Sequence, residues 1–103
     1  MRTSFFHWDD RLQIELPGSI REWEARSQEE KQLILFHWEK TRGRIPDKIM
    51  ELDQQIMKKQ RDLSDESDFD KSCRLNEEIA DLASIINDLW IWYRIPWQLH
   101  PAM

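Results

Sequence analysis

FDKSCRLNEEIADLASIINDLWIWYR, residues 69–94, decides the fold. Leu75, Ile79, Leu82, Ile86, Leu89 and Tyr93 follow one another at spacings of 4, 3, 4, 3 and 4. That spacing sets them along one seam of a single helix, as in a coiled coil. The helix is predicted over 69–94. It stops before Pro96, because a residue preceding proline avoids the helical region. Ser67 or Asp68, in the acidic stretch SDESDFD at 64–70, supplies its N-cap.

Upstream, Ile45-Pro46-Asp47 reads as a helix start. Proline is tolerated at the first helical position, and an early acid complements the helix dipole. Ile49, Leu52, Ile56 and Leu63 then repeat at helical spacing, with one layer missing at Lys59/Gln60. A helix is predicted over 46–63. A link of a few residues folds the two helices back antiparallel. Ile56 then meets 75–79, Ile45–Ile49 meets 82–89, and Lys59/Gln60 lies near Ser72 and Asn76. At 1.5 Å per residue the first helix spans roughly 27 Å and the second about 39 Å. The unmatched end of the second is also its most apolar part, so it needs at least two partners.

Ser27-Gln28-Glu29-Glu30 is a capping box. It opens a predicted helix over 28–42, ended by Gly43 as a left-handed C-cap. Its continuous LILFHW run, residues 33–38, predicts burial on more than one side. Residues 1–26 are ambiguous. Phe5, Trp8, Leu12 and Leu16 fit a helix, whereas Leu12, Ile14 and Leu16 fit a strand. Pro17-Gly18 reads as a turn, and Ser19-x-x-Glu22 is a second capping box before Ile20 and Trp23. The expected fold is one all-α domain over 1–103. It is an antiparallel helical hairpin with a third helix at its wide end, and irregular arms at 1–26 and 95–103.

Composition supports this class. Val is absent, Thr and Gly occur twice each, and Tyr once, which argues against a sandwich or barrel. Charged residues make up 34% of the chain and hydrophobic ones 40%, a balance that suits an amphipathic helical protein. The net charge of −5 opposes binding to a phosphate backbone, and the basic groups Arg42/Arg44/Lys48 and Lys58/Lys59/Arg61 are small. One cysteine, Cys73, excludes an internal disulfide. Without a leader sequence, that favours a reducing, cytoplasmic location. No run of 18 apolar residues is present to span a membrane.

The chemistry-bearing residues form no catalytic pattern. His7 with Asp9 or Asp10 lacks the spacing of a metal site. His37, inside an apolar run, reads as a packed histidine with one hydrogen-bond partner. The acidic stretch lacks the central glycine of a calcium loop and its bidentate Glu at position 12. No Glu-x-x-His pattern accompanies Glu77 and Glu78, as a di-metal bundle would need. Cys73 has no catalytic signature around it. With glycine only at 18 and 43, no phosphate-cradling loop can be built. No enzyme activity, cofactor, metal or small-molecule substrate is expected.

The tryptophans demand more. Trp90, Trp92 and Trp97 lie within eight positions, and Trp8, Trp23 and Trp38 come from three other segments. About half are assigned to the core. The rest, on Trp90, Ile91, Trp92, Ile95 and Trp97, are assigned to a protein-binding surface, because aromatics favour interface centres. Self-association into a homodimer at this wide end is expected. The competing reading is a peripheral membrane-surface adaptor, since Trp and Tyr favour the interfacial zone. Arg94 alone gives that reading thin cationic support.

Overall fold

The computed structural model describes residues 5–94, of which 76% are helical. The order is β1 (Phe6–Asp9), β2 (Ile14–Pro17), α1 (Ile20–Glu24), α2 (Gln28–Gly43), α3 (Ile45–Asp65) and α4 (Phe69–Arg94). The helical class is therefore right in bulk, and the small sheet at the N-terminus is a correction to an all-α chain. Residues 5–44 with 92–94 form one compact unit, and residues 45–91 form another.

In the first unit the expected irregular arm is a β-hairpin. β1 and β2 pair antiparallel, Phe6 opposite Pro17 and Asp9 opposite Ile14. The loop at 10–13 explains why strand wins over helix here. Asp9 accepts twice: its side-chain Oδ1 from the Leu12 N–H at 2.8 Å, and its carbonyl from the Gln13 N–H at 2.7 Å. Gln13 takes φ 57°, a left-handed conformation that closes the loop. The helical reading needed Trp8 inside, but Trp8 is exposed and its Nε1 donates to Asp10 Oδ1 at 2.8 Å. Ile14 and Leu16 point inward with Glu15 half-buried between them, as strand alternation requires.

Both capping boxes form. Ser19 caps α1 and Ser27 caps α2, each hydroxyl accepting from the backbone N–H of Glu22 or Glu30. Each glutamate returns the bond, accepting from its serine's backbone N–H at 3.0 and 3.1 Å. Those backbone bonds, followed by the serine hydroxyls, hold both carboxyls below the ordinary glutamate range. The unfolded chain therefore binds protons at higher pH than the fold does. This contribution to stability is complete above the ordinary glutamate range and is lost as pH falls through the two lowered values. Carbon-detected carboxyl titration should place Glu22 and Glu30 below their values in the denatured chain. Ser27→Ala should move Glu30 only part of the way back, because the backbone N–H bond survives. An unmoved Glu30 would show that the hydroxyl contributes nothing.

The first unit is centred on Phe5, Phe6, Trp23, Ile34 and Trp38, with Leu35 and Trp92 packed against them. Phe5 meets Phe6 and Trp23 edge-on, at centroid distances of 5.5 and 6.3 Å. Gly18 fits where little else can. A Cβ there would come within 3.0 Å of the Phe5 carbonyl oxygen and 2.9 Å of Glu22 Oε1. Two expectations for α2 need correcting. Its apolar run is not buried on more than one side: Ile34 and Trp38 are closed off, while Leu33 and Phe36 are exposed. Positions 34 and 38 are one turn apart and share a face, and 33 and 36 fall outside it. Nor is Gly43 a left-handed cap. It is the last helical residue, its φ is not positive, and Arg44 caps the helix in right-handed geometry.

In the second unit α3 begins one residue earlier than predicted and runs two residues further, whereas α4 matches its predicted span. Residues 66–68 link them. Asp68 is the N-cap of α4, with its Oδ1 accepting from the Lys71 N–H at 3.0 Å. Lys59 Nζ donates to Glu78 Oε1 at 2.9 Å, so the chain doubles back across the link. Lys59 thus reaches beyond Asn76 rather than resting beside Ser72 and Asn76. Leu52, Ile56, Leu63, Leu75, Ile79, Leu82 and Ile86 are all half-buried, and most of their neighbours are exposed. Only Ile45, Ile49 and Leu89 in this unit are closed off from solvent.

Candidate protein-interaction surface

The last turns of α4 carry the aromatic residues assigned to a binding surface. Successive helical residues are rotated by about 100°, so Trp90, Ile91 and Trp92 cannot share a face. Trp92 belongs to the first unit, where its ring meets Trp38 edge-to-face at 5.9 Å. Beside it Arg42 Nη1 donates to the Tyr93 carbonyl at 3.2 Å, and the guanidinium lies 5.3 Å from the Tyr93 ring centre. Trp92 and Tyr93 are thus engaged by α2. Ile91 is 47% exposed and Trp90 half-buried. Ile95 and Trp97, the other two residues assigned to this surface, lie outside the described residues.

Other exposed apolar side chains escaped the sequence reading. Leu33 and Phe36 project from α2, with Lys40 Nζ 4.7 Å from the Phe36 ring centre. Met50 and Met57 project from α3, 60% and 49% exposed, and Phe69 from the start of α4. The 33–38 run is apolar at almost every position, so periodicity could not sort its inner from its outer residues. For Met50 and Met57 a signal existed in their seven-residue separation, which repeats a position on one helix face.

His37 fits its expected role. It is half-buried, and its Nε2 shares one hydrogen bond with Glu15 Oε1 at 3.0 Å, while its ring lies 4.5 Å from that of Phe6. Cys73 is a half-buried free thiol. A cleft of about 420 Å³ opens near the 66–68 link, lined by Asp62, Asp65, Glu66, Lys71, Arg74, Leu75 and Glu78. Its rim mixes acids and bases and its mouth is wide, so no single ligand charge is selected. Among the described residues no three His, Cys, Asp or Glu side chains are gathered so as to hold a metal ion. No described helix is long and apolar enough to cross a membrane. No protein-family model matches the chain, and no curated protein or solved structure gives a significant match.

Proposed function

We propose that this chain is a non-catalytic, cytoplasmic interaction protein that works through protein–protein contacts and associates with itself. In this reading α3 and α4 form an antiparallel hairpin, and Trp90 and Ile91 lie at or beside the contact surface.

One observation carries the reading. Between Ile49 and Leu89 no residue of α3 or α4 is closed off from solvent, although the apolar seam runs through both. Two helices cover only part of each other's circumference, so a seam of this length needs further apolar cover. Extended apolar surface of this kind is uncommon on a monomer. Association with a second copy requires only one self-complementary patch.

Sedimentation equilibrium at micromolar concentration should return twice the chain mass. Ile91→Ser is the clean probe of the wide end, because Trp92 is held by Trp38 and its loss would disturb the core. A strict monomer would overturn self-association. If that monomer also floated with anionic vesicles, it would favour a membrane-surface role instead.

A further inference from the structure

We propose that a second copy of this chain docks on one nearly uncharged face of the α3–α4 pair and completes a four-helix bundle. The inference rests on the self-association proposed above and names its surface.

The seam residues of α3 are Ile49, Leu52, Ile56, Lys59 and Leu63, and those of α4 are Leu75, Ile79, Leu82, Ile86 and Leu89. A residue one position after a seam residue is rotated by about 100° around its helix. α3 and α4 have the same hand and run in opposite directions. The same step therefore carries both helices' residues to one side of the pair. A step backward carries both to the other side.

The two sides differ sharply in charge. Of the ten residues that follow a seam residue, one is charged, Asp53. Of the ten that precede one, eight are charged, from Lys48 to Asp88. In a chain whose residues are 34% charged, about three or four charges per ten are the expectation, so both faces depart from it in opposite directions. The forward face offers Met50 and Met57 from α3 and Ala80 and Ala83 from α4, with Asn76 and Asn87 at either end of the alanines. All six are exposed. Alanines let a facing backbone approach closely, and methionines adapt to the surface they meet.

Charge selects the occupant. The face has no cation for a phosphate or an anionic lipid surface, and one carboxylate is too little for a basic peptide. A second copy meets it with little like-charge opposition, since a twofold contact sets against itself a face whose one charge is Asp53. The rims complement each other as well. Arg61 flanks the face on α3, and Glu77 flanks it on α4. The Lys59–Glu78 ion pair places these groups at one level along the pair. A twofold axis along the pair lays α3 of one copy over α4 of the other and brings Arg61 toward the partner's Glu77. All neighbouring helices are then antiparallel, as in an up-down four-helix bundle.

The test is sedimentation equilibrium on the full chain, with helicity monitored by circular dichroism. Ala83→Glu puts a charge on the face at an exposed position and retains a good helix former. It should weaken the dimer at least ~10-fold without loss of helicity. Arg61→Glu should also weaken it, and adding Glu77→Lys should restore most of the loss. A dimer unmoved by Ala83→Glu but broken by Ile91→Ser would overturn this face and leave self-association standing. A wild-type monomer would overturn both. Weakening by Arg61→Glu without rescue by Glu77→Lys would overturn the twofold arrangement.

Discussion

Replacing Trp38 with alanine is expected to destabilise the protein by about 3–5 kcal/mol, the range for removing a large aromatic from a packed core. Trp38 is fully buried and lies among Phe5, Phe6, Trp23 and Ile34. Domains of this size have total stabilities of roughly 5–15 kcal/mol, so the variant should populate the unfolded state well before the wild type in a urea titration. Trp38→Phe separates packing from polarity. The indole Nε1 is buried and has no hydrogen-bond acceptor among the described residues. An unsatisfied buried donor costs about 1–3 kcal/mol. Phenylalanine removes that donor while keeping most of the ring, so it should lose less than half of what alanine loses. Equal losses from both variants would show that the N–H is satisfied in solution, by water or by the face of a neighbouring ring.

The sequence was legible where local rules act alone. Ser27 with Glu30 and Ser19 with Glu22 announce two helix starts, because the reciprocal bonds of a capping box involve only residues three apart. The 75–93 seam was readable for a similar reason: one periodicity runs unbroken through five turns. Three things resisted. Residues 5–17 carry both a helical and a strand spacing. The choice falls to the loop at 10–13, where the left-handed Gln13 is a residue type that does not announce such a conformation. Gly43 had the usual meaning of a helix stop but is simply helical, since no left-handed residue is required where Arg44 leads directly into Ile45. The third is the aromatic cluster at 90–97. A stretch of adjacent aromatics says that large apolar area must be covered, but not by what. Only the contact with Trp38 shows that Trp92 turns toward the core while Ile91, one residue earlier, turns outward.

That division also bears on what the candidate surface can be. A helix end rotates by about 100° per residue, so a patch on it recruits every third or fourth residue, never four in a row. The exposed residues of α3 and α4 with low charge recur at that spacing, and the cluster at the C-terminal end does not. A face along the length of the two helices, as proposed above, therefore takes in Trp90, which follows Leu89, and not Trp90, Ile91 and Trp92 together.

Leu89→Ala is the second large expected effect, and its comparison with Leu82→Ala carries more information than either value. Leu89 is fully buried, and its truncation should cost about 2–5 kcal/mol. Leu82 occupies the same seam two turns earlier but is only half-buried. Transfer free energy scales with the area removed from water, so Leu82→Ala should cost roughly half as much in a dilute, monomeric sample. If a second copy covers the seam, that figure is not fixed. Dimerisation stabilises the fold by mass action, and the part of Leu82 that the partner buries is lost only when the partner is bound. Urea unfolding at submicromolar and at high micromolar chain concentration should thus give a cost for Leu82→Ala that grows with concentration. The cost of Leu89→Ala, whose side chain is already closed off within one chain, should stay nearly constant. If the two variants keep the same difference at both concentrations while the wild type sediments as a dimer, the partner touches neither seam layer, and the four-helix arrangement is wrong.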